Sequence, residues 1–193
     1  MYSRLNRQLA VCGPLLLTSF LCACSQRTTD PNQNQNENEV LSASSIRGEA
    51  AATLELQDLD SKTVRMRDFK GKVVLLNFWG TTCAPCKQEI PWLVEFQREF
   101  GPEGFQVIAI SMYGEGPEVL KPYVAEHQME NFKVLIGNDQ LMPSFGLVAF
   151  PTTFIIDSRG RYYARHEGLI NRPEVEKELA MLLAKEANAT KAE

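Results

Sequence analysis

The sequence has 193 residues, of which 44% are hydrophobic and 23% are charged. This composition is ordinary for a globular protein and excludes collagen-like and wholly disordered chains. The net charge is −4, so no basic excess points to nucleic-acid binding. With 2 His and 5 Cys, neither a His-rich metal site nor a disulfide-dense scaffold is expected.

The N-terminal segment is typical of a bacterial export signal. Two arginines precede an apolar run of about 15 residues, which is shorter than the ~20 residues of a membrane-spanning helix. The run ends in Leu21-Cys22-Ala23-Cys24, which resembles the lipobox of bacterial lipoproteins. We therefore predict that residues 1–23 are a lipoprotein signal peptide and that Cys24 is lipidated. An ordinary signal cleavage near Ala23 or an uncleaved anchor is the alternative.

Residues 24–50 are predicted to be the lipidated Cys and a disordered tether. The stretch 32–39 contains no apolar residue, so it cannot bury enough surface to offset the entropy of an ordered chain. A flexible coil of about 26 residues has an end-to-end distance of ~30 Å. Such a tether would let a folded domain move over a patch of membrane surface.

The folded domain is predicted over residues 51–187, with a disordered tail over 188–193. At its start, polar and apolar residues alternate at 53–57 and again at 63–66, with turn residues between them. This pattern favours a β-hairpin.

After the hairpin, strand patterns and helix patterns alternate. The predicted elements are a strand at 73–79, a helix from 85 to 100, a strand at 106–111, a helix at 118–128, a strand at 132–136, one or two helical turns at 139–145, strands at 152–156 and 162–166, and a helix from 171 onward. The run at 73–79 is continuously apolar but for one Asn, which suits a strand covered on both faces. The alternation implies an α/β fold with helices on the faces of a central sheet.

Cys83 and Cys86 form a C-x-x-C pair where the buried strand meets the following helix. A structural zinc site needs four ligands, and neither a second Cys pair nor His at ligand spacing follows. Copper chaperones of the Sco type separate their two Cys by three residues, whereas the separation here is two. The remaining interpretation is a dithiol/disulfide couple without a metal or cofactor.

The position of this pair at a helix start favours thiol–disulfide chemistry. Free N–H groups and the helix dipole stabilise a thiolate at a helix start, so Cys83 should be acidic and nucleophilic. Cys86 follows one turn later, within reach to resolve a mixed disulfide. Between them lie Ala84 and Pro85, and a proline is tolerated in the first turn because the helix does not use its N–H.

Two stretches resemble the TlpA/ResA family, whose members are membrane-tethered thiol–disulfide oxidoreductases of the bacterial cell envelope. The first is residues 74–91, which surround the Cys pair, and the second is residues 150–157, where the family has its cis-proline. The resemblance extends over about residues 51–185. It implies a thioredoxin-like fold: a central mixed sheet flanked by helices, with an N-terminal β-hairpin and a central αβ insertion.

The resemblance also implies roles. Cys83 would be the attacking thiol and Cys86 the resolving thiol of a redox disulfide. Pro151 would be cis and would present backbone beside that disulfide to a substrate. Glu89 matches an acid that the family places near the thiols, although acids are favoured in the first turns of any helix.

Other residues are expected around the active site, namely Trp79, Ala84, Pro85 and Phe150. Thr82 stands where a Trp usually precedes the first Cys, so a flat apolar contact surface is lost. Phe150 is bulkier than the usual residue before the cis-proline and could restrict what docks. Asn77 replaces the buried Asp of thioredoxin.

The resulting hypothesis is an enzyme that reduces disulfides of envelope proteins, for example during cytochrome c maturation. Its partners would be protein disulfides or dithiols and a membrane electron donor, with a lipid anchor and no nucleic acid. It would face the periplasm or the exterior, and inner or outer membrane is left open. The alternatives are a non-catalytic binding lipoprotein and a peroxiredoxin-like peroxidase. The peroxidase motif has a Thr three residues before its Cys, where this chain has Gly80.

Overall fold

The computed structural model of the protein describes residues 51–190. The predicted signal peptide, Cys24, the tether and the last three residues lie outside the described residues. Within the described range, no helix has both the length and the apolar character needed to cross a membrane.

A single mixed sheet of seven strands organises the described chain. The strands are β1 (Glu55–Asp58), β2 (Thr63–Arg65), β3 (Val73–Trp79), β4 (Phe105–Ser111), β5 (Lys133–Ile136), β6 (Thr152–Ile156) and β7 (Tyr162–Glu167). Their order across the sheet is β2-β1-β5-β4-β3-β6-β7. The central neighbours β3, β4 and β5 run parallel, whereas the predicted hairpin β1–β2 and the strands β6 and β7 pair antiparallel.

Within the described residues, three α-helices lie between strands and one follows the last strand. They are α1 (Ala84–Phe100), α2 (Pro117–Glu126), α3 (Leu141–Phe145) and α4 (Arg172–Thr190). Helix α4 differs from expectation because it continues to Thr190, three residues beyond the domain end expected at 187. The final residues include three alanines, and alanine has the highest intrinsic helix propensity, so the helix is extended rather than ended there.

The core lies on both faces of the sheet, and β3 is buried along its whole length. Successive side chains of a strand point to opposite faces. Val73, Leu75 and Trp79 therefore pack on one face, in a core cluster that includes the buried sides of α1 and α4. Val74, Leu76 and Phe78 pack on the other face, in a cluster with α3. The continuous apolar run of β3 is explained by this double coverage.

Four loops lie together at one edge of the sheet because of the directions in which the strands run. Because β3 and β4 are parallel, the loops that leave their carboxyl ends lie side by side, and Met112 N–H donates to the Trp79 carbonyl (2.9 Å). Because β6 is antiparallel to β3, the loop that enters β6 arrives at the same edge. The loop that leaves β7 joins them there, since Gly168 N–H donates to the Pro151 carbonyl (2.8 Å).

Candidate active site

Cys83 is the residue that caps the N-terminus of α1. Its backbone is extended, and its Sγ accepts a hydrogen bond from the N–H of Cys86 (3.3 Å). Cys83 N–H donates to the carbonyl of Gly80 (3.2 Å), which forms the turn that leads from β3 into the helix. The sulfur therefore lies at the positive end of a 17-residue helix, where a thiolate is stabilised by free N–H groups and the helix dipole.

Cys83 and Cys86 are joined by a disulfide, with 5.3 Å between their Cα atoms. Cys83 is 7% exposed and Cys86 is fully buried. The exposed part of the disulfide therefore belongs to Cys83. Ala84 is exposed and Pro85 is half-buried, so these two residues form the outer rim beside the disulfide.

Pro151 lies in the loop that enters β6, and the Phe150–Pro151 peptide bond is cis. Thr152 follows it, with its hydroxyl donating to the carbonyl of Ala149 (2.8 Å). Phe150 is half-buried and packs against the clusters on both faces of the sheet. This loop thus comes to the edge of the sheet that carries the Cys pair.

Glu89 lies on α1, one turn beyond Cys86, and is fully buried. Its Oε1 accepts a hydrogen bond from Asn77 Nδ2 (2.7 Å), and its Oε2 accepts one from the backbone N–H of Ile170 (3.3 Å). Asn77 Nδ2 also donates to Thr153 Oγ1 (2.9 Å). The carboxyl group is therefore held by the sheet on one side and by the segment before α4 on the other.

Burial raises the pKa of Glu89 to about 7, because a charged carboxylate is poorly solvated inside the protein. The hydrogen bonds from Asn77 and Ile170 act in the opposite direction, since both stabilise the ionised form. The acid can thus hold or release a proton near neutral pH. An acid that served only the start of the helix would sit in solvent, so the burial of Glu89 is not explained by the helix dipole.

Trp79 ends β3 and is fully buried. It belongs to the same core cluster as the two sulfurs, and its ring packs against Tyr123 with 5.3 Å between the centroids. Its indole N–H has no hydrogen-bond partner among the described residues. Of the residues expected around the disulfide, Trp79 therefore lies beneath the site, whereas Ala84, Pro85 and Phe150 lie at its surface.

Two residues near the Cys pair were not expected from the sequence. The Glu115 carboxylate, in the loop after β4, accepts hydrogen bonds from the hydroxyls of Thr81 and Ser111 (2.8 Å for Ser111). Tyr113, in the same loop, lies against Gly80. The topology could have indicated both residues, because loops at the carboxyl ends of adjacent parallel strands lie side by side.

Residues 47–163, more than half of the chain, match the AhpC/TSA family. The thiol-disulfide oxidoreductase ResA of Bacillus thuringiensis subsp. konkukian (strain 97-27) is 30% identical over 132 residues, which are 68% of this chain and 76% of ResA. The chain therefore belongs to the AhpC/TSA family and, within it, to the ResA-like proteins. It is an enzyme, a thiol–disulfide oxidoreductase.

Solved structures agree with the fold. A thiol:disulfide interchange protein of the thioredoxin family from Chlorobium tepidum TLS superposes with a TM-score of 0.62 at 25% identity, covering 69% of this chain and 94% of that one. The exposed lipoprotein thioredoxin Etrx1 of Streptococcus pneumoniae strain TIGR4 gives a TM-score of 0.58 at 28% identity, covering 68% and 100%. The thioredoxin-like fold expected from the two motifs is confirmed.

Proposed function

We propose that this oxidoreductase reduces disulfides of partner proteins in the bacterial cell envelope, with Cys83 as the attacking thiol and Cys86 as the resolving thiol. The observation that carries the proposal is the Cys83–Cys86 disulfide at the N-terminus of α1. The difference in exposure supports the order of the two roles, because only Cys83 offers surface to a partner. The helix end supports thiolate formation at the same residue.

The proposed cycle balances as two successive exchanges. The Cys83 thiolate attacks a partner disulfide, so that a mixed disulfide forms and one partner sulfur leaves as a thiolate that takes up a proton. Cys86 then loses its proton and attacks Cys83 Sγ, which releases the second partner thiol and closes the Cys83–Cys86 disulfide. Two electrons pass to the partner. A membrane-bound dithiol donor would return them and restore the reduced pair.

Glu89 is proposed to handle protons in this cycle. Cys86 is buried and must lose a proton before it attacks, and Glu89, one turn along α1, has a pKa near 7. An ionised Glu89 can accept that proton, and a protonated one can return it when the pair is reduced. The same negative charge raises the pKa of nearby thiols, so the protonation of Glu89 also sets the thiolate fraction.

Pro151 and Phe150 are proposed to form part of the surface that binds the partner's chain. The Pro151 carbonyl already accepts from Gly168 N–H, so the loops that surround the disulfide are fixed to one another before a partner arrives. Ala84 and Pro85 form the opposite rim. An extended partner segment would lie between these two rims, with its cysteine over Cys83.

Anchoring through Cys24 is part of the proposal. The lipobox-like end of the signal supports it, as does the likeness to an exposed lipoprotein of Streptococcus pneumoniae. Maturation of cytochrome c, which requires reduced cysteines, is the proposed use of the activity. Cys24→Ser should move the protein from the detergent phase to the aqueous phase and remove the mass of the lipid. An unchanged mass and partition would contradict anchoring alone.

The decisive experiment traps the mixed disulfide. Cys86→Ala removes resolution and leaves attack intact, so covalent complexes with envelope proteins should accumulate and dissolve on reduction. Cys83→Ala is the matched control and should trap few or none. Mass spectrometry of the trapped proteins would name the substrates. Equal trapping by both variants would contradict the assigned roles, and no trapping by either would favour a non-catalytic binding protein. Consumption of peroxide by the wild type would favour the peroxidase alternative.

A further inference from the structure

The aromatic ring of Tyr113 covers the backbone of Gly80. A Cβ atom placed on Gly80 would lie 2.4 to 2.9 Å from three ring carbons of Tyr113. Real Cβ atoms do not approach other atoms so closely, so the ring can take this position only because residue 80 has no side chain. Gly80 also accepts the hydrogen bond from Cys83 N–H (3.2 Å). Tyr113 therefore lies one turn of backbone away from the attacking sulfur.

The same ring meets the loop that carries Pro151. The rings of Tyr113 and Phe150 lie 5.6 Å apart, centroid to centroid, at an interplanar angle of 79°, which is the edge-to-face geometry that aromatic pairs prefer. Tyr113 thus joins two segments that flank the disulfide. The two rings form a continuous surface, which we call the aromatic wall.

The aromatic wall is incompletely covered. Tyr113 remains 46% exposed although it contacts both Gly80 and Phe150. Six large apolar side chains are exposed in the described residues, and three of them lie on the loops around the disulfide: Tyr113, Val148 and Leu169. Apolar surface concentrated beside a reactive group indicates contact with a partner.

We propose that Tyr113 is a specificity-determining residue, which packs against a large apolar side chain next to the reactive cysteine of an extended partner segment. The inference rests on the proposed function and names its substrate class, namely protein disulfides flanked by aromatic or large aliphatic residues. Thr82, at the position where the TlpA/ResA resemblance expects a Trp, is exposed and offers little apolar surface. Tyr113 supplies a flat apolar surface from a different loop.

The selectivity arises from burial rather than from a hydrogen bond. An apolar partner side chain that covers the exposed part of the ring removes both surfaces from water. A partner with serine at the same position gains little binding free energy, because it buries little apolar surface against the ring. A small disulfide reacts at Cys83 without contacting the aromatic wall, so it gains no binding free energy from Tyr113. The effect should therefore appear as a difference between substrates and not as a general loss of exchange.

The test compares three disulfides with the reduced full-length protein. The first is a synthetic peptide with an intramolecular disulfide and Phe beside one cysteine, the second is the same peptide with Ser in place of Phe, and the third is the small linear disulfide of 2-mercaptoethanol. For the wild type, the Phe peptide should have the larger kcat/KM of the two peptides. Tyr113→Ala should lower kcat/KM for the Phe peptide about tenfold, mainly through KM, because a central aromatic contact contributes at least this much. Its rate with the disulfide of 2-mercaptoethanol should not change.

Three further variants control the result. Tyr163→Ala is the matched control, since Tyr163 is 43% exposed but lies on β7, and it should retain the wild-type preference for the Phe peptide. Tyr113→Phe should retain the preference because the apolar ring remains. Gly80→Ala should reduce the preference because the new Cβ displaces the ring of Tyr113.

The outcomes separate this inference from the proposed function. Wild-type exchange with all three disulfides, together with an unchanged preference in Tyr113→Ala, would overturn the role of Tyr113 and leave the proposed function intact. Loss of preference in Tyr113→Phe would overturn it as well, because the hydroxyl rather than the ring would then be responsible. A wild type that exchanges with none of the three disulfides would overturn the proposed function itself.

Discussion

Strand β3 is buried on both faces of the sheet, yet it sends different kinds of side chain to each. On the face covered by α3, the side chains that β3 contributes are all apolar, namely Val74, Leu76 and Phe78. On the face covered by α1 and α4, the same strand contributes Asn77, which binds the buried Glu89. Strand β3 therefore sends only apolar side chains to one face, whereas on the other face it binds a titratable group that is buried at a cost in stability.

The difference shows where a protein of this size can place chemistry. A buried carboxyl costs free energy unless it is neutral or hydrogen-bonded. Glu89 meets both conditions in part, through two hydrogen bonds and a pKa of about 7. We expect mutations on the two faces to separate stability from pH dependence.

The largest effect on stability is expected from Phe78→Ala on the hydrophobic face. The ring of Phe78 packs against those of Phe145 (4.9 Å) and Phe154 (5.8 Å), and its removal leaves a cavity that the rigid sheet cannot close. The free energy of unfolding should fall by about 3–5 kcal/mol, measured by urea titration. The dependence of that free energy on pH should remain as in the wild type. A changed pH dependence would mean that the two faces are not independent.

The second-largest effect is expected from Glu89→Gln, which should change the pH dependence of the free energy of unfolding. Between about pH 4.5 and 7 the folded protein retains the proton of Glu89 while the unfolded chain loses it. Folding takes up a proton in this window, so the wild-type free energy of unfolding should decrease as pH rises from 4.5 to 7, by about 3 kcal/mol, and then level off. Urea titrations across this range should show that the decrease is absent from Glu89→Gln.

The same variant tests the proposed proton transfer. The rate of exchange with a partner disulfide should show an inflection near pH 7 in the wild type and none in Glu89→Gln. The control is Glu95→Gln, which changes a half-exposed acid of the same helix and should leave both pH profiles unchanged. Identical exchange profiles for wild type and Glu89→Gln would leave Glu89 with a structural role only.

The smallest effect is expected from Thr153→Val, which preserves shape but removes the second acceptor of Asn77. One N–H of the Asn77 amide would be left buried without a partner, so stability should fall by about 1 kcal/mol. Thr153→Ser, which keeps the hydroxyl, is the matched control and should retain that hydrogen bond. If Thr153→Val is as stable as the wild type, the hydroxyl does not support the polar contact on this face.

Much of the fold could be predicted from local sequence. Strand β3 occupies the predicted 73–79, because a run of seven residues covered on both faces leaves a plain hydrophobic signal. The Cys pair is found at the predicted helix start. The C-terminal boundary at 187 could not be read precisely, since alanine-rich segments give no helix stop signal and α4 continues to Thr190.

The surroundings of the disulfide could be predicted only in part. Its place in the sequence made Glu89 a candidate site residue. Its buried environment, however, includes a hydrogen bond from Ile170, which is 81 residues away in the chain. No periodic pattern contains such a contact. The position of Tyr113 on Gly80 likewise arises only when β3 and β4 pair in parallel. Local signals predict elements, whereas the contacts between loops follow from the topology.

The hydrogen bond from Ile170 to Glu89 also means that the surroundings of this acid are completed late in synthesis. A chain emerges from the ribosome with its N-terminus first, so Cys83, Cys86 and Glu89 appear long before Ile170 and α4. Until then, the carboxyl of Glu89 lacks one of its two donors, and the face of α1 that packs with Val175 and Leu179 is uncovered. A nascent or truncated chain that stops before Ile170 would carry both thiols without the finished environment of its acid. The surroundings of Glu89 are therefore complete only after the segment that begins at Ile170 has been added.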